Sequence, residues 1–342
     1  MKRRDVLKAV AALPLLAQTV LEQKPAKTKV IKPKRLEKGA TVAVIAPSSS
    51  VTEQEFNKAM QNLAELGLRA RTGKYTRAVN GFLAGTDDQR LEDLHWAFGD
   101  KEVSAVWCIR GGYGLTRILP RIDYALVKKN PKVVIGFSDI TALLVAIHQN
   151  TGLVTFHGPV GTSTYSDYTR KHALNTLMAP SAPYKIEVSG DNAARTEPAF
   201  KAQVISKGRA SGKLIGGNLS LLTAMAGTPY GLHEARGKLL FIEDVGEKPY
   251  RIDRMLVQLK QSVRLDELAG IALGIFDKCD PADDKSQTVI DVIKDQLGDL
   301  KIPVIYGLSF GHIRDLMTLP IGVEAEMDTE SATVTLLEAA VI

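Results

Sequence analysis

The chain has 342 residues, 45% of them hydrophobic and 24% charged, a balance that can bury one or two sizeable cores and excludes a disordered or low-complexity protein. At roughly 100 to 200 residues per domain, the length favours two domains. The formal charge of +6 is local: residues 1–36 carry ten Lys and Arg against Asp5 and Glu22, which leaves 34 basic and 36 acidic residues elsewhere and no basic footprint for nucleic acid.

Lys2, Arg3 and Arg4 precede an apolar stretch at 9–21 that is too short to span a bilayer. With Val6, Leu7 and Lys8 after it, the Arg3-Arg4 pair resembles a twin-arginine export signal. The expectation is an exported, periplasmic protein with no stable membrane insertion once the signal is removed; the alternative is a cytoplasmic protein with an uncleaved basic tail. Residues 24–38 are rich in Lys and Pro and read as a flexible tether, so 1–38 are assigned to signal and tether.

The body starts near Gly39. A β-branched run at 41–46 ends in Pro47 and Ser48, and Phe56, Met60 and Leu63 then recur at helical spacing until Gly67. Thr86 and Gln89 form a capping box ahead of Leu91, Leu94 and Phe98. An apolar strand at 103–109 runs into Arg110-Gly111-Gly112-Tyr113-Gly114. Another at 132–135 runs into Gly136-Phe137-Ser138-Asp139 and a helix with Leu143, Leu144 and Ile147. Strands alternating with helices predict an α/β domain with a parallel sheet over residues 39–164, with function at the carboxyl ends of its strands.

The periodicity fades over 165–198, the expected interdomain connection. A second α/β domain follows at 199–342. It has a strand at 238–242 ending at Glu243, a helix marked by Ile252, Met255, Leu256 and Leu259, strands at 271–275 and 303–306, and a terminal hairpin at 322–337. Cys108 and Cys279 both fall in apolar runs that read as strands and are expected as buried free thiols, which excludes a disulfide scaffold or a Cys-rich zinc site.

Ser138, between a strand and a helix, has the setting of a nucleophile elbow; the alternative is that Ser138 or Asp139 caps the helix, because Ile140 stands where an elbow commonly has a second Gly. The 110–114 turn suits an oxyanion or anion nest, or is a plain turn; its spacing is not a dinucleotide fingerprint. Of six histidines, only His157 and His312 lie in Gly-flanked turns after apolar runs. His157 reads as a turn residue or one behind the site, and His312 as the base. Glu243, at a strand end, is the best-placed carboxylate to orient it; Asp244 and Glu247 fall in the next loop, where salt bridges or solvent would hold them. With no His-Glu-x-x-His pattern, Cys-His cluster or P-loop, neither a protein-held metal nor a cofactor is expected.

These motifs taken in order, together with the 84–90 run ending at Arg90, His157-Gly158-Pro159, Gly216-Gly217-Asn218 and Gly311-His312, resemble the serine LD-carboxypeptidases, which trim peptidoglycan peptides. The resemblance covers nearly the whole body. It implies a doubly wound, flavodoxin-like N-terminal domain with a nucleophile elbow and a smaller C-terminal α/β domain with a barrel-like sheet. It carries a catalytic triad over to Ser138, Glu243 and His312, closing across the domain junction, with oxyanion amides at Gly112 and Asp139.

Gly111, Tyr113 and Arg110 become candidate substrate contacts. Arg117, Arg251 and Arg314 are, like Arg110, candidates for a substrate carboxylate or equally for ion pairs. The implied reaction is metal-independent hydrolysis of the bond between an L-diamino acid and a terminal D-Ala in a murein tetrapeptide, often by a homodimer. A related branch that confers immunity to microcin C-type peptide-nucleotides, and a non-catalytic wall-peptide binding protein, are the alternatives.

Overall fold

In the computed structural model, which describes residues 29–281 and 285–342, the short apolar runs of the first half form β1 (Thr41–Ile45), β2 (Arg69–Thr72), β3 (Ala105–Cys108), β4 (Val133–Gly136) and β5 (Thr155–His157). Between them run α1 (Glu53–Glu65), α2 (Asp87–Gly99), α3 (Tyr124–Lys129) and α4 (Ile140–Thr151). The five strands are parallel in the order β5-β4-β3-β1-β2, a doubly wound sheet. β3 and β4 are buried at every residue, which is why they read as unbroken apolar runs.

Both faces are covered. Val42 and Val44 of β1 pack in one cluster with Ala59 and Leu63 of α1, while Ala43 and Ile45 pack in the other with Leu94 and Phe98 of α2. The capping box at Thr86 and Gln89 is present, and Thr52 with Glu55 makes a second one at the start of α1.

The second half contributes α5 (Asp167–Leu177), β6 (Tyr184–Glu187), α6 (Gly190–Ala194), β7 (Gln203–Ser206), β8 (Arg209–Asn218), α7 (Leu219–Ala224), β9 (Leu239–Glu243), α8 (Pro249–Ser262), β10 (Gly270–Gly274), α9 (Val289–Leu297), β11 (Val304–Leu308), β12 (Leu319–Ile321), β13 (Glu324–Asp328) and β14 (Thr333–Leu336). Its eight-stranded sheet has the order β6-β14-β13-β8-β9-β10-β11-β7 and curls into a half-barrel. The central β8-β9-β10-β11 ladder is parallel and the flanking strands are antiparallel. β13 and β14 form the expected hairpin.

The two halves are tied together. β12 returns to the first sheet and pairs antiparallel with β5, Leu319 opposite His157. Helix α4 is buried throughout residues 140–147 and packs against β8 and α7 as well as its own sheet. Gly217 (φ +143°) permits this approach, because a Cβ there would lie 2.4 Å from Thr141 Cγ2. The next amide, of Asn218, donates to Thr141 Oγ1 at 3.0 Å.

Three expectations need correction. The 165–198 connection contains α5, β6 and α6; the stripe that α5 buries is Thr169, His172, Ala173, Thr176 and Leu177, mostly polar or small, so its helical period is invisible in hydrophobicity. Cys279 lies in a loop beyond β10, although both cysteines are buried and free as expected. The described part of the tether is pinned to the body: Ile31 exchanges backbone hydrogen bonds with Gly152 and Val154, and buried Leu36 donates to Leu177 O. The basic leader through residue 28 lies outside the described residues. Among the described residues no helix is long and apolar enough to cross a membrane.

Replacing Thr86 by Ala removes the side-chain half of its capping box and should cost about 1 kcal/mol. A denaturant titration will show this as a lower midpoint at constant slope, and an unmoved midpoint contradicts the cap.

Candidate active site

Three loops leave the carboxyl ends of β1, β3 and β4 beside the point where strand order reverses, between β1 and β3. Ser138 sits on the β4 to α4 turn with φ +65°, a left-handed conformation that L-residues adopt at a cost. Gly136 makes room for it: a Cβ there would lie 2.7 Å from Ile140 Cγ2, so the bulky residue after the turn is accommodated from behind. The glycine turn closes on the other side. A Cβ on Gly111 would lie 2.8 Å from Ser138 Cβ and 3.1 Å from its Oγ, so bare backbone abuts the hydroxyl. Gly112 (φ +119°) is pressed against Ser49, whose Oγ accepts from Tyr113 N at 3.1 Å. Among the described residues the amides of Gly112 and Asp139 donate no hydrogen bond.

The Asp139 side chain does not cap α4. It is buried and accepts from Ser48 Oγ at 2.5 Å and from Leu115 N at 3.0 Å, which joins the serine turn to the segments after β1 and after the glycine turn. Burial raises its pKa, and those hydrogen bonds oppose the rise.

A further clamp has no counterpart in the expected site. Arg90 of α2, its side chain wholly buried, donates to Pro47 O at 2.6 Å and Gly114 O at 3.0 Å and pairs with Asp87. Its signal is an arginine on the buried stripe of a helix, four residues before Leu94 and seven before Ala97.

The second half supplies Glu243 from the end of β9 and His312 from the loop after β11. His312 Nδ1 and Glu243 Oε2 are 2.8 Å apart, with the carboxylate 0% exposed. Gly311 (φ +122°) lets the loop come this close, since a Cβ there would lie 2.9 Å from Ile275 O and 3.2 Å from Glu243 Oε2. Burial disfavours charge on both groups, but their mutual attraction, helped by Asn218 beside the carboxyl and by the Asp244 and Asp277 charges on the ring, outweighs it: the carboxyl is held below its ordinary range and the imidazole above the usual histidine value. The His312 ring stands edge-on to Phe137, centroids 4.9 Å apart, and so lies next to the serine turn. Ser138 Oγ itself has no hydrogen-bond partner among the described residues.

Asp244, expected in salt bridges or solvent, is instead buried and accepts from Asn218 Nδ2, Ser220 N and Ser220 Oγ. Burial and the Glu243 charge push it up to about 6. The His312 loop is held by the segment expected as the interdomain connection. Thr169 of α5 accepts from Leu316 N and donates to Arg314 O, Ser189 donates to Asp315 at 2.5 Å, and Asn192 donates to Asp315 O at 2.9 Å.

The four candidate arginines all stand in ion pairs: Arg110 with Glu55, Arg117 with Asp87, Arg251 with Glu247 and, at 3.8 Å, Arg314 with Asp191. Tyr113 is 50% exposed and stands edge-on to Phe82, itself 63% exposed.

Comparison with known proteins agrees with this architecture. The family model for the LD-carboxypeptidase N-terminal domain matches residues 42–158, and that for the C-terminal domain matches 211–327. A probable murein peptide carboxypeptidase of Bacillus subtilis is 45% identical over 303 residues, 88% of this chain and 93% of that protein. The murein tetrapeptide carboxypeptidase of Pseudomonas aeruginosa is 36% identical over 294 residues, 84% and 92% of the two chains. A ligand-free structure of the microcin C7 self-immunity protein, known from Escherichia coli, superimposes with a TM-score of 0.82 at 26% identity, covering 91% of this chain and all of that one. With both halves matched by their models and a 45% identical relative spanning most of its length, the chain belongs to the LD-carboxypeptidase family of hydrolases.

Proposed function

We propose that this chain is a serine carboxypeptidase that hydrolyses the bond between the L-diamino acid at position three and the terminal D-Ala of murein tetrapeptides, with no metal ion. The observation that carries the reading is the buried Glu243–His312 hydrogen bond beside a serine held at positive φ.

Ser138 Oγ attacks the carbonyl carbon while His312 Nε2 accepts its proton, and Glu243 stabilises the resulting imidazolium. The carbonyl oxygen, now an anion, takes hydrogen bonds from the amides of Gly112 and Asp139; such donors are worth about 2.7 to 4 kcal/mol of barrier each. His312 then gives the proton to the leaving nitrogen, D-Ala departs, and an acyl-enzyme ester on Ser138 remains. Water, activated by the same imidazole, releases the shortened peptide and restores the hydroxyl. Free Ser138 Oγ fits this scheme, because catalytic hydrogen bonds in ligand-free sites tighten when substrate arrives. Gly111, whose bare backbone abuts the Ser138 hydroxyl, belongs with Tyr113 and Arg110 to the substrate side of the same reading. Export through the Arg3-Arg4 leader and assembly as a homodimer complete it.

Similarity favours murein peptides over peptide-nucleotides: identity is 45% and 36% to the two murein enzymes and 27% to the microcin immunity protein. Incubation with a defined tetrapeptide should release D-Ala in the presence of a chelator. Turnover of an aminoacyl-nucleotide conjugate alone would move the assignment to the immunity branch, and tight binding without any product would reduce the protein to a binding module. Ser138→Ala should lower kcat by roughly 10^4-fold or more with the fold intact.

The pH profile carries the sign of the pair. His312 must be neutral to accept the proton, and Glu243 raises its pKa, so kcat/KM should fall on the acid side with a midpoint above the ordinary histidine value of 6.5. Glu243→Gln should move that midpoint down while cutting kcat. A midpoint that ignores this substitution contradicts the assignment of the base.

A further inference from the structure

His157, which no step above uses, ends β5 with its side chain wholly buried. Three phenylalanines enclose its ring edge-on, with centroids at 5.4 Å (Phe241), 6.1 Å (Phe137) and 6.3 Å (Phe310). Phe241 and Glu243 are two residues apart on β9 and project from the same face, which sets His157 against the strand end that carries the carboxylate. Phe137 is shared, since it also faces the His312 ring.

Within this apolar enclosure several polar atoms are orphaned. Among the described residues, both ring nitrogens of His157, Glu243 Oε1 and Thr318 Oγ1 are buried without a hydrogen-bond partner. Thr318 precedes the Leu319 that pairs with His157, and a Cβ on Gly158 would lie 3.0 Å from its hydroxyl. Each unsatisfied group costs about 1 to 3 kcal/mol, so native proteins retain such clusters where ordered water serves them. The charged groups facing His157 are Glu243 from β9 and His312 from the loop after β11; Asp244 turns away to Asn218 and Ser220, and Asp139 to Ser48. Burial pulls the His157 pKa down to about 4, against the pull of Glu243 and with that of His312. At neutral pH the ring therefore has one N–H to donate and one lone pair to offer.

We propose that His157 is a positioning residue that acts through Glu243: one ring N–H, relayed by a single buried water, hydrogen-bonds Oε1, the oxygen that His312 leaves free. The contact fixes the rotation of the carboxylate and draws part of its charge away from Oε2. The inference rests on the triad reading, but its consequences lie in the resting protein and are read without turnover.

The test is nitrogen-15 NMR of the histidine rings in the full chain. In the wild type, His157 should stay neutral from pH 5 to 8 as a single tautomer, and Glu243→Gln should move its ring nitrogen shifts. His157→Phe keeps the ring volume and removes the donor, so more carboxylate charge falls on His312. The His312 midpoint should rise by about half a pH unit or more and return toward the wild-type value in His157→Gln. A His157 that titrates with an ordinary histidine midpoint, ring shifts indifferent to Glu243→Gln, or a His312 midpoint unchanged in His157→Phe overturns the proposal. Should His157→Phe fail to fold, the Glu243→Gln arm decides alone. A chain that releases no D-Ala yet shows these shifts would sink the proposed activity and leave this contact standing.

Discussion

A carboxylate shut away from solvent stays ionised only if something replaces its water, and for Glu243 the replacement is the His312 imidazole at 2.8 Å. Burying either charge alone would cost several kcal/mol, and removing one partner of such a pair leaves the other stranded. The second sheet is arranged around this contact. β9 delivers the acid at its carboxyl end, β11 delivers the loop with the histidine, and β10 between them sets the spacing. Gly311 removes the side chain that would hold the two apart. Anchors from α5 and α6 then fix the loop, so a segment that joins the two halves also positions His312.

The serine lies in the other half, and its geometry carries a cost of its own. A non-glycine residue at positive φ is strained by about 1 to 3 kcal/mol and persists only where its surroundings over-determine it. Here they do so from several directions. Helix α4, buried over its first eight residues, follows the turn, Asp139 bonds it to Ser48 and Leu115, and Arg90 braces the neighbouring loops at Pro47 and Gly114. The same helix meets β8 through Thr141, Gly217 and Asn218, so its packing serves both sheets. The junction between domains is therefore a shared core, crossed again by β12, and the halves need no closing motion to bring His312 to Phe137.

Much of this was legible in the sequence, and the reasons are physical. Fully buried parallel strands must be apolar throughout, so β3 and β4 stand out, and a capping box announces the start of α2. Glycines at strand ends mark where backbone is to come close to something, which singled out the turns around Ser138 and His312. Helix α5 was hidden because its buried stripe is threonine, histidine and alanine, and the pinned segment at 29–38 because two apolar anchors, Ile31 and Leu36, do the work among lysines and prolines. Arg90 carried a readable signal, a charge on a buried helical stripe, whose partners are backbone carbonyls that no sequence pattern displays. The position of Asp139 suggests a cap, whereas the direction of its side chain depends on loops 91 and 24 residues away.

Four departures from local rules gather in one place. Ser138 at positive φ, Asp139 at a helix start without capping it, Glu243 charged and dry, and His157 with two unserved nitrogens all lie where the carboxyl ends of β4, β5 and β9 converge. Elsewhere α1, α2, α5 and α9 carry side-chain caps, and the other non-glycine residues at positive φ, Lys278, Lys301 and Ala332, each stand alone outside helices and strands. Natural sequences tend to be locally consistent except where function imposes a conflict, so four such departures meeting in one cleft point to the site independently of any likeness to other proteins. It also argues against a binding module as the role of this cleft. Recognition of a peptide needs complementary shape and a few polar contacts, and nothing in that task calls for a serine turn beside a buried carboxylate-imidazole pair, whereas acyl transfer uses such a pair to activate a hydroxyl.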